Sequence, residues 1–155
     1  MKEISSLNNK KTEVKSPSNI EAEQALLGSI LINNDIIDEV SSIINSNIFY
    51  DPAHIKIYEV IESLNNKGMI ANPITLKNFF EKDNMLSDVG GTEYLVKLTR
   101  FSGSSKQAVD YAKIIHEMYL RRELIQISYQ LSSDTFNANS KEQNAEKIIE
   151  NTERS

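Results

Sequence analysis

Cysteine is absent from the 155 residues. That excludes a disulfide scaffold, thiolate metal ligation and a cysteine nucleophile, and it fits a reducing cytoplasm. No apolar run approaches the ~20 residues of a membrane-spanning helix. Nor does an apolar segment follow the lysines of the opening MKEISSLNNKKTEVKSPS, as a secretory signal requires. A basic excess is missing too: 17 Lys and Arg against 22 Asp and Glu give a net charge of −5. Affinity for nucleic acid comes from neutralising phosphates, so unaided DNA binding is disfavoured. A local basic patch such as Arg121-Arg122 is the exception to weigh.

The motifs of phosphate binding and catalysis are equally scarce. The stretch LSDVGGTEYLVKL carries adjacent glycines, Gly90 and Gly91, that run into a helical pattern. A Rossmann loop needs G-x-G-x-x-G after a strand, and a P-loop needs its Gly-Lys-Ser/Thr, which occurs nowhere in the chain. The pair therefore reads as a helix-entry turn, with no cofactor site. No serine sits in a G-x-S-x-G elbow. His54 and His116, with Asp51 and Glu117 near them in sequence, lack the three or four converging ligands of a metal site and read as structural or surface residues. Glu21, Glu23, Asp35, Asp38 and Glu39 cluster in sequence, but Asp35 and Asp38 favour the dipole of an opening helical turn. Glu21 is accounted for as the partner of Ser18 in a capping box. The expectation is no catalytic residue, no cofactor and no metal.

What is present is helix after helix. The length allows a domain burying roughly 70% of its unfolded surface, and the polar, lysine-bearing residues 1–16 read as a flexible tail. Behind Ser18, Ile20, Leu27, Ile30 and Leu31 line one face, and a mid-helix Gly28 implies a neighbouring backbone at close range. Ile36, Ile37, Val40, Ile43 and Ile44 predict the next helix, since their gaps do not alternate as a strand would. Asp51-Pro52 and Asn72-Pro73 each supply a cap followed by a first-turn proline, opening helices through Ile57, Ile61 and Leu64 and through Leu76, Phe79 and Phe80. Thr92 is the expected cap of a short helix carrying Tyr94, Leu95 and Leu98.

From Lys106 to about Phe136 nothing interrupts the helical pattern, a span of roughly 45 Å. Two apolar rows run along it. One is Leu120, Leu124, Ile127 and Leu131; the other is Tyr111, Ile115, Met118, Ile125 and Tyr129. Together they make a face wider than one neighbour needs. NANS, residues 137–140, predicts a turn, and Ala145, Ile148 and Ile149 a returning helix. The predicted fold is all-α: a tail over 1–16, a compact multi-helix head over 17–104 and a C-terminal helical hairpin over 105–155. The two rows are the candidate packing and subunit-contact residues, and their width points to self-association.

Five motifs in order carry a resemblance. Pro17, Glu21, Ala22, Glu23, Leu27 and Gly28 match Pro-x-x-x-Glu-Ala-Glu-x-x-x-Leu-Gly. Phe49, Tyr50, His54, Ile57, Tyr58, Leu64 and Gly68 match a second pattern, and LSDVGGTEYLVKL a third. Tyr111, Ala112, Ile114, Ile115, Arg122, Leu124 and Ile125 match a fourth; Ala145 and Glu146 match the last. Over 17–150 the chain thus resembles the N-terminal domain of bacterial replicative DNA helicases, the DnaB family. It departs at Asn72-Pro73, where the family commonly has Asp, and in FSGSSKQAV, residues 101–109.

The resemblance implies a non-catalytic assembly domain. Hairpins pair into dimers and a trimer of dimers within a hexamer, primase docks on the hairpin surface, and a helicase loader is a further partner. It also implies that ATP and magnesium belong to an ATPase domain following this one, and that DNA is met only through the full-length protein. The alternative reading is a stand-alone helical adaptor that binds a replication partner.

Overall fold

The computed structural model describes residues 15–137 and 144–155. Among these residues the regular structure is entirely helical. It comprises α1 (Ile20–Ile32), α2 (Ile36–Val40), α3 (Pro52–Asn66), α4 (Pro73–Lys82), α5 (Gly91–Thr99), α6 (Ser105–Phe136) and α7 (Ala145–Glu153), with 3₁₀ turns at Ser46–Ile48 and Ser87–Val89. The tail expected over 1–16 and the turn expected over 137–140 lie largely outside the described residues.

Helix α1 is buried on nearly every side, which makes it the middle of the head. Its cap is Asn19, whose Oδ1 accepts the Ala22 N–H at 2.9 Å. The box expected from Ser18 and Glu21 does not form, because asparagine one position later caps equally well. Gly28 has the close backbone neighbour that its position predicts: a Cβ there would stand 1.9 Å from the carbonyl oxygen of Leu98, in the last turn of α5. On another side, Ala108 and Ala112 are buried small residues one turn apart on α6. They let that helix lie close along α1.

The two cap-then-proline devices open α3 and α4 as predicted. Asp51 Oδ1 accepts the Ala53 N–H at 2.8 Å, and Asn72 forms a reciprocal box with Thr75. The Asn34 side chain pins the loop between these helices, accepting from the Ala71 N–H at 2.7 Å and donating to the Ala71 carbonyl at 2.8 Å. Helix α2 is shorter than its isoleucine spacing predicts, and Ile44 reaches the core from the turn that follows. The Ser41 hydroxyl donates back to the Asp38 carbonyl, and Asn45 Oδ1 accepts the Asn47 N–H. Such local bonds compete with helix continuation.

The long helix α6 has a capping box of Ser104 and Gln107 and begins one residue before the expected Lys106. Its first three turns carry Ala108, Ala112 and Ile115 into the core of the head. Head packing therefore extends past the boundary expected at residue 104. Helix α7, capped by Asn144, packs on the outer part of α6 through Ile148.

Candidate functional site

The glycine pair serves a tyrosine. Gly90 and Gly91 have φ of 90° and 75°, a left-handed backbone that favours glycine. Thr92, the expected cap, lies inside α5, and Gly90 stands at the cap position with no side-chain bond. A Cβ on Gly90 would come within 2.8 Å of the Tyr94 Cβ, so its absence lets Tyr94 fold back over the turn. The Tyr94 hydroxyl then lies 2.7 Å from His54 Nε2.

From His54 the connection continues inward. Its Nδ1 is 2.5 Å from Glu23 Oε2, and Glu23 is buried. The same carboxylate accepts the backbone N–H groups of Tyr50 at 2.6 Å and Asp51 at 3.3 Å. With both oxygens facing N–H donors, the network assigns the imidazole proton to Nδ1 and makes Nε2 the acceptor of the Tyr94 hydroxyl. Tyr94 in turn accepts from Gln24 Nε2 at 3.2 Å. Burial pushes the Tyr94 phenol up and the charges of Asp51 and Glu23 push it the same way, while the Gln24 bond opposes them. Tyr94 therefore holds its proton as a donor.

An acid–imidazole–hydroxyl chain activates a nucleophile where the hydroxyl meets a substrate. Here the hydroxyl is taken by His54 and Gln24, and His54 is wholly enclosed. The polar atoms of the three side chains tie α1 to α3, to the segment entering α3 and to α5, so the arrangement is a structural lock. His54 has the structural role expected of it, but its partner is Glu23 and not Asp51, which caps α3. Glu21, Asp35, Asp38 and Glu39 are exposed and separate from Glu23. The missed signal was positional. Glu23, Leu26, Leu27 and Ile30 stand at i, i+3, i+4 and i+7, and a carboxylate in an apolar stripe requires a buried partner.

The two hairpin rows do not stay together. In the second row, Tyr111 packs on the core, Ile115 is inside it, Met118 is half-buried, and Ile125 and Tyr129 are exposed. In the first, Leu120 and Leu124 face outward. Ile127 and Leu131 line a crevice of about 90 Å³ with Ile148, Asn151 and Thr152 of α7. A helix of 32 residues meets different neighbours along its length, so one row changes role from turn to turn. Left uncovered are Leu120, Leu124 (65% exposed), Ile125, Tyr129 (70%), Phe136 (87%) and the outer part of Leu131, with Ile149 on α7.

Arg121-Arg122 is not a basic patch. Arg121 pairs with Glu117 at 2.9 Å. Arg122 turns to the head, donating to the carbonyls of Pro17 at 2.8 Å and Ile48 at 2.7 Å. Its guanidinium also lies over the rings of Tyr50 and Tyr119. No helix among the described residues is long and apolar enough to cross a membrane.

A helical head bearing a hairpin is thus in place, and residues 15–117 match the family described as DnaB-like helicase N terminal domain. The chain belongs to that family. The replicative DNA helicase DnaB of Rickettsia felis is 42% identical over 137 residues, which cover 88% of this chain and 28% of that protein. The DnaB of Pasteurella multocida is 33% identical over 120 residues, covering 77% of this chain and 26% of its own length. The chain therefore spans little more than a quarter of these curated relatives.

Among solved structures, the N-terminal domain of DnaB helicase from Mycobacterium tuberculosis aligns with a TM-score of 0.79 at 25% identity. That alignment covers 90% of this chain and 96% of that one. A DnaB-like replicative helicase studied with its interactions with primase aligns with a TM-score of 0.71 at 25% identity, over 86% of this chain and 31% of that one. The DnaB-like fold therefore takes in hairpin as well as head.

Proposed function

We propose that this domain is the assembly and docking part of a replicative DNA helicase and is itself non-catalytic. Its hairpins pair between subunits, building dimers and a trimer of dimers within a hexamer, and primase docks on the hairpin surface. The observation that carries this is that Leu120, Leu124, Ile125 and Tyr129 stand exposed on a helix whose base is fixed in the head. Large apolar side chains left uncovered together on one helix point to a protein interaction site. The neighbour studied with primase supports the docking part, because its likeness includes this hairpin. ATP and magnesium belong to the ATPase domain of the full helicase, and DNA is met only through the full-length protein; a helicase loader is a further partner, and the setting is the bacterial cytoplasm.

The test is calorimetric titration of the chain with the C-terminal domain of the cognate primase, alongside the variant Leu124→Glu with Tyr129→Glu. Binding by the wild type that the variant loses is the expected result. A wild type that binds no primase, or a folded variant that binds equally well, contradicts the docking assignment.

A further inference from the structure

We infer that Arg122 is a positioning clamp that sets the direction in which the hairpin leaves the head. The last wholly buried residue of α6 is Ile115. Arg122 stands two turns further out and is the outermost residue of α6 with a hydrogen bond to the head among the described residues. Its two terminal nitrogens reach separate strands of chain, at Pro17 before α1 and at Ile48 before α3. A planar guanidinium does this with a fixed fork geometry, whereas a lysine ammonium holds one point. Tyr50 and Tyr119 receive its flat face, with ring centroids 5.3 and 5.9 Å from the guanidinium carbon.

The segment that Arg122 grips is itself held from inside. Residues 48–51 receive Arg122 at the Ile48 carbonyl and the Tyr50 ring, and give the Tyr50 and Asp51 N–H groups to buried Glu23. The clamp therefore closes on a stretch that cannot easily follow a swinging helix. Fourteen residues of α6 lie beyond Arg122, about 21 Å of helix, so a tilt of about 10° there displaces Phe136 by roughly 4 Å. Helix α7 rides on that outer part and moves with it. This role is internal to one chain and holds whether or not hairpins pair.

The natural absence of cysteine allows two labels without other changes. Spin labels on Lys97→Cys in α5 and Lys147→Cys in α7, diluted with unlabelled protein, report the head-to-hairpin distance by pulsed electron resonance. Arg122→Gln is expected to broaden the distribution and shift it by several ångströms, with helix content retained. Arg122→Lys gives a smaller change, and Arg121→Gln, which touches only Glu117, gives none. If Arg122→Gln does not fold, Arg122→Lys carries the test. An unchanged distance distribution in the folded Arg122 variants, with only a lower melting temperature, overturns the clamp and leaves Arg122 a stability residue.

Discussion

The head and the outer hairpin treat their side chains in opposite ways. In the head a buried carboxylate has an imidazole and two backbone N–H groups around it, and a tyrosine completes the imidazole. Along the outer half of α6, large apolar side chains are exposed, with one short helix beside them among the described residues. The head satisfies its demands within one chain. The hairpin leaves large apolar side chains exposed, and that contrast is the physical ground on which the assembly role is proposed.

The most severe way to break the contrast is from inside the head. His54→Leu takes one hydrogen-bond donor from the buried Glu23 carboxylate and the acceptor from the Tyr94 hydroxyl, at a cost of about 3 kcal/mol or more, since buried polar groups left unpaired lose the most when one is charged. Urea unfolding reads this as a sharply lowered midpoint, and an unchanged midpoint removes the lock. Gly28→Ala comes next, at about 3 kcal/mol, the upper part of the overpacking range. The added methyl meets the Leu98 carbonyl, which is backbone and cannot turn aside.

Leu124→Glu with Tyr129→Glu probes the other side of the comparison. Both residues are exposed, so head stability stays within about 0.5 kcal/mol while association is lost. The smallest effect belongs to Tyr58, whose buried hydroxyl has no hydrogen-bond partner among the described residues. Tyr58→Phe changes stability at neutral pH by about 1 kcal/mol or less, in the stabilising direction. Burial, aided by Glu62, pushes this phenol from 10.0 up to about 12. A group that holds its proton more tightly when folded contributes fully below its unfolded value and loses that contribution as pH rises through the folded one. Wild-type stability therefore falls between pH 10 and about pH 12, and Tyr58→Phe flattens part of that fall in a circular-dichroism titration.

The fold was readable wherever one local signal decided the outcome. Asp51-Pro52 and Asn72-Pro73 announced their helices, and Gly28 announced a close backbone neighbour. Signals failed where two neighbouring residues could do the same job, as Ser18 and Asn19 could cap α1, or where turn-forming side chains interrupted an apolar run, as after Val40. The lock was hidden because Glu23 and His54 are 31 residues apart, and the acids beside Glu23 drew it into an exposed cluster. Arg122 was visible as a motif residue and as half of a basic pair, but its role was hidden for the same reason: its partners lie 105 and 74 residues away. The rows on α6 were legible as apolar, but their division among head, α7 and solvent depends on where each turn meets its neighbours.

Sedimentation velocity over a concentration series, wild type against Leu124→Glu with Tyr129→Glu, tests most directly whether the uncovered residues of α6 join subunits. The predicted result is a dimer or larger species for the wild type and a folded monomer for the variant. A wild type that stays monomeric at every concentration, or a variant that assembles as before, would contradict it.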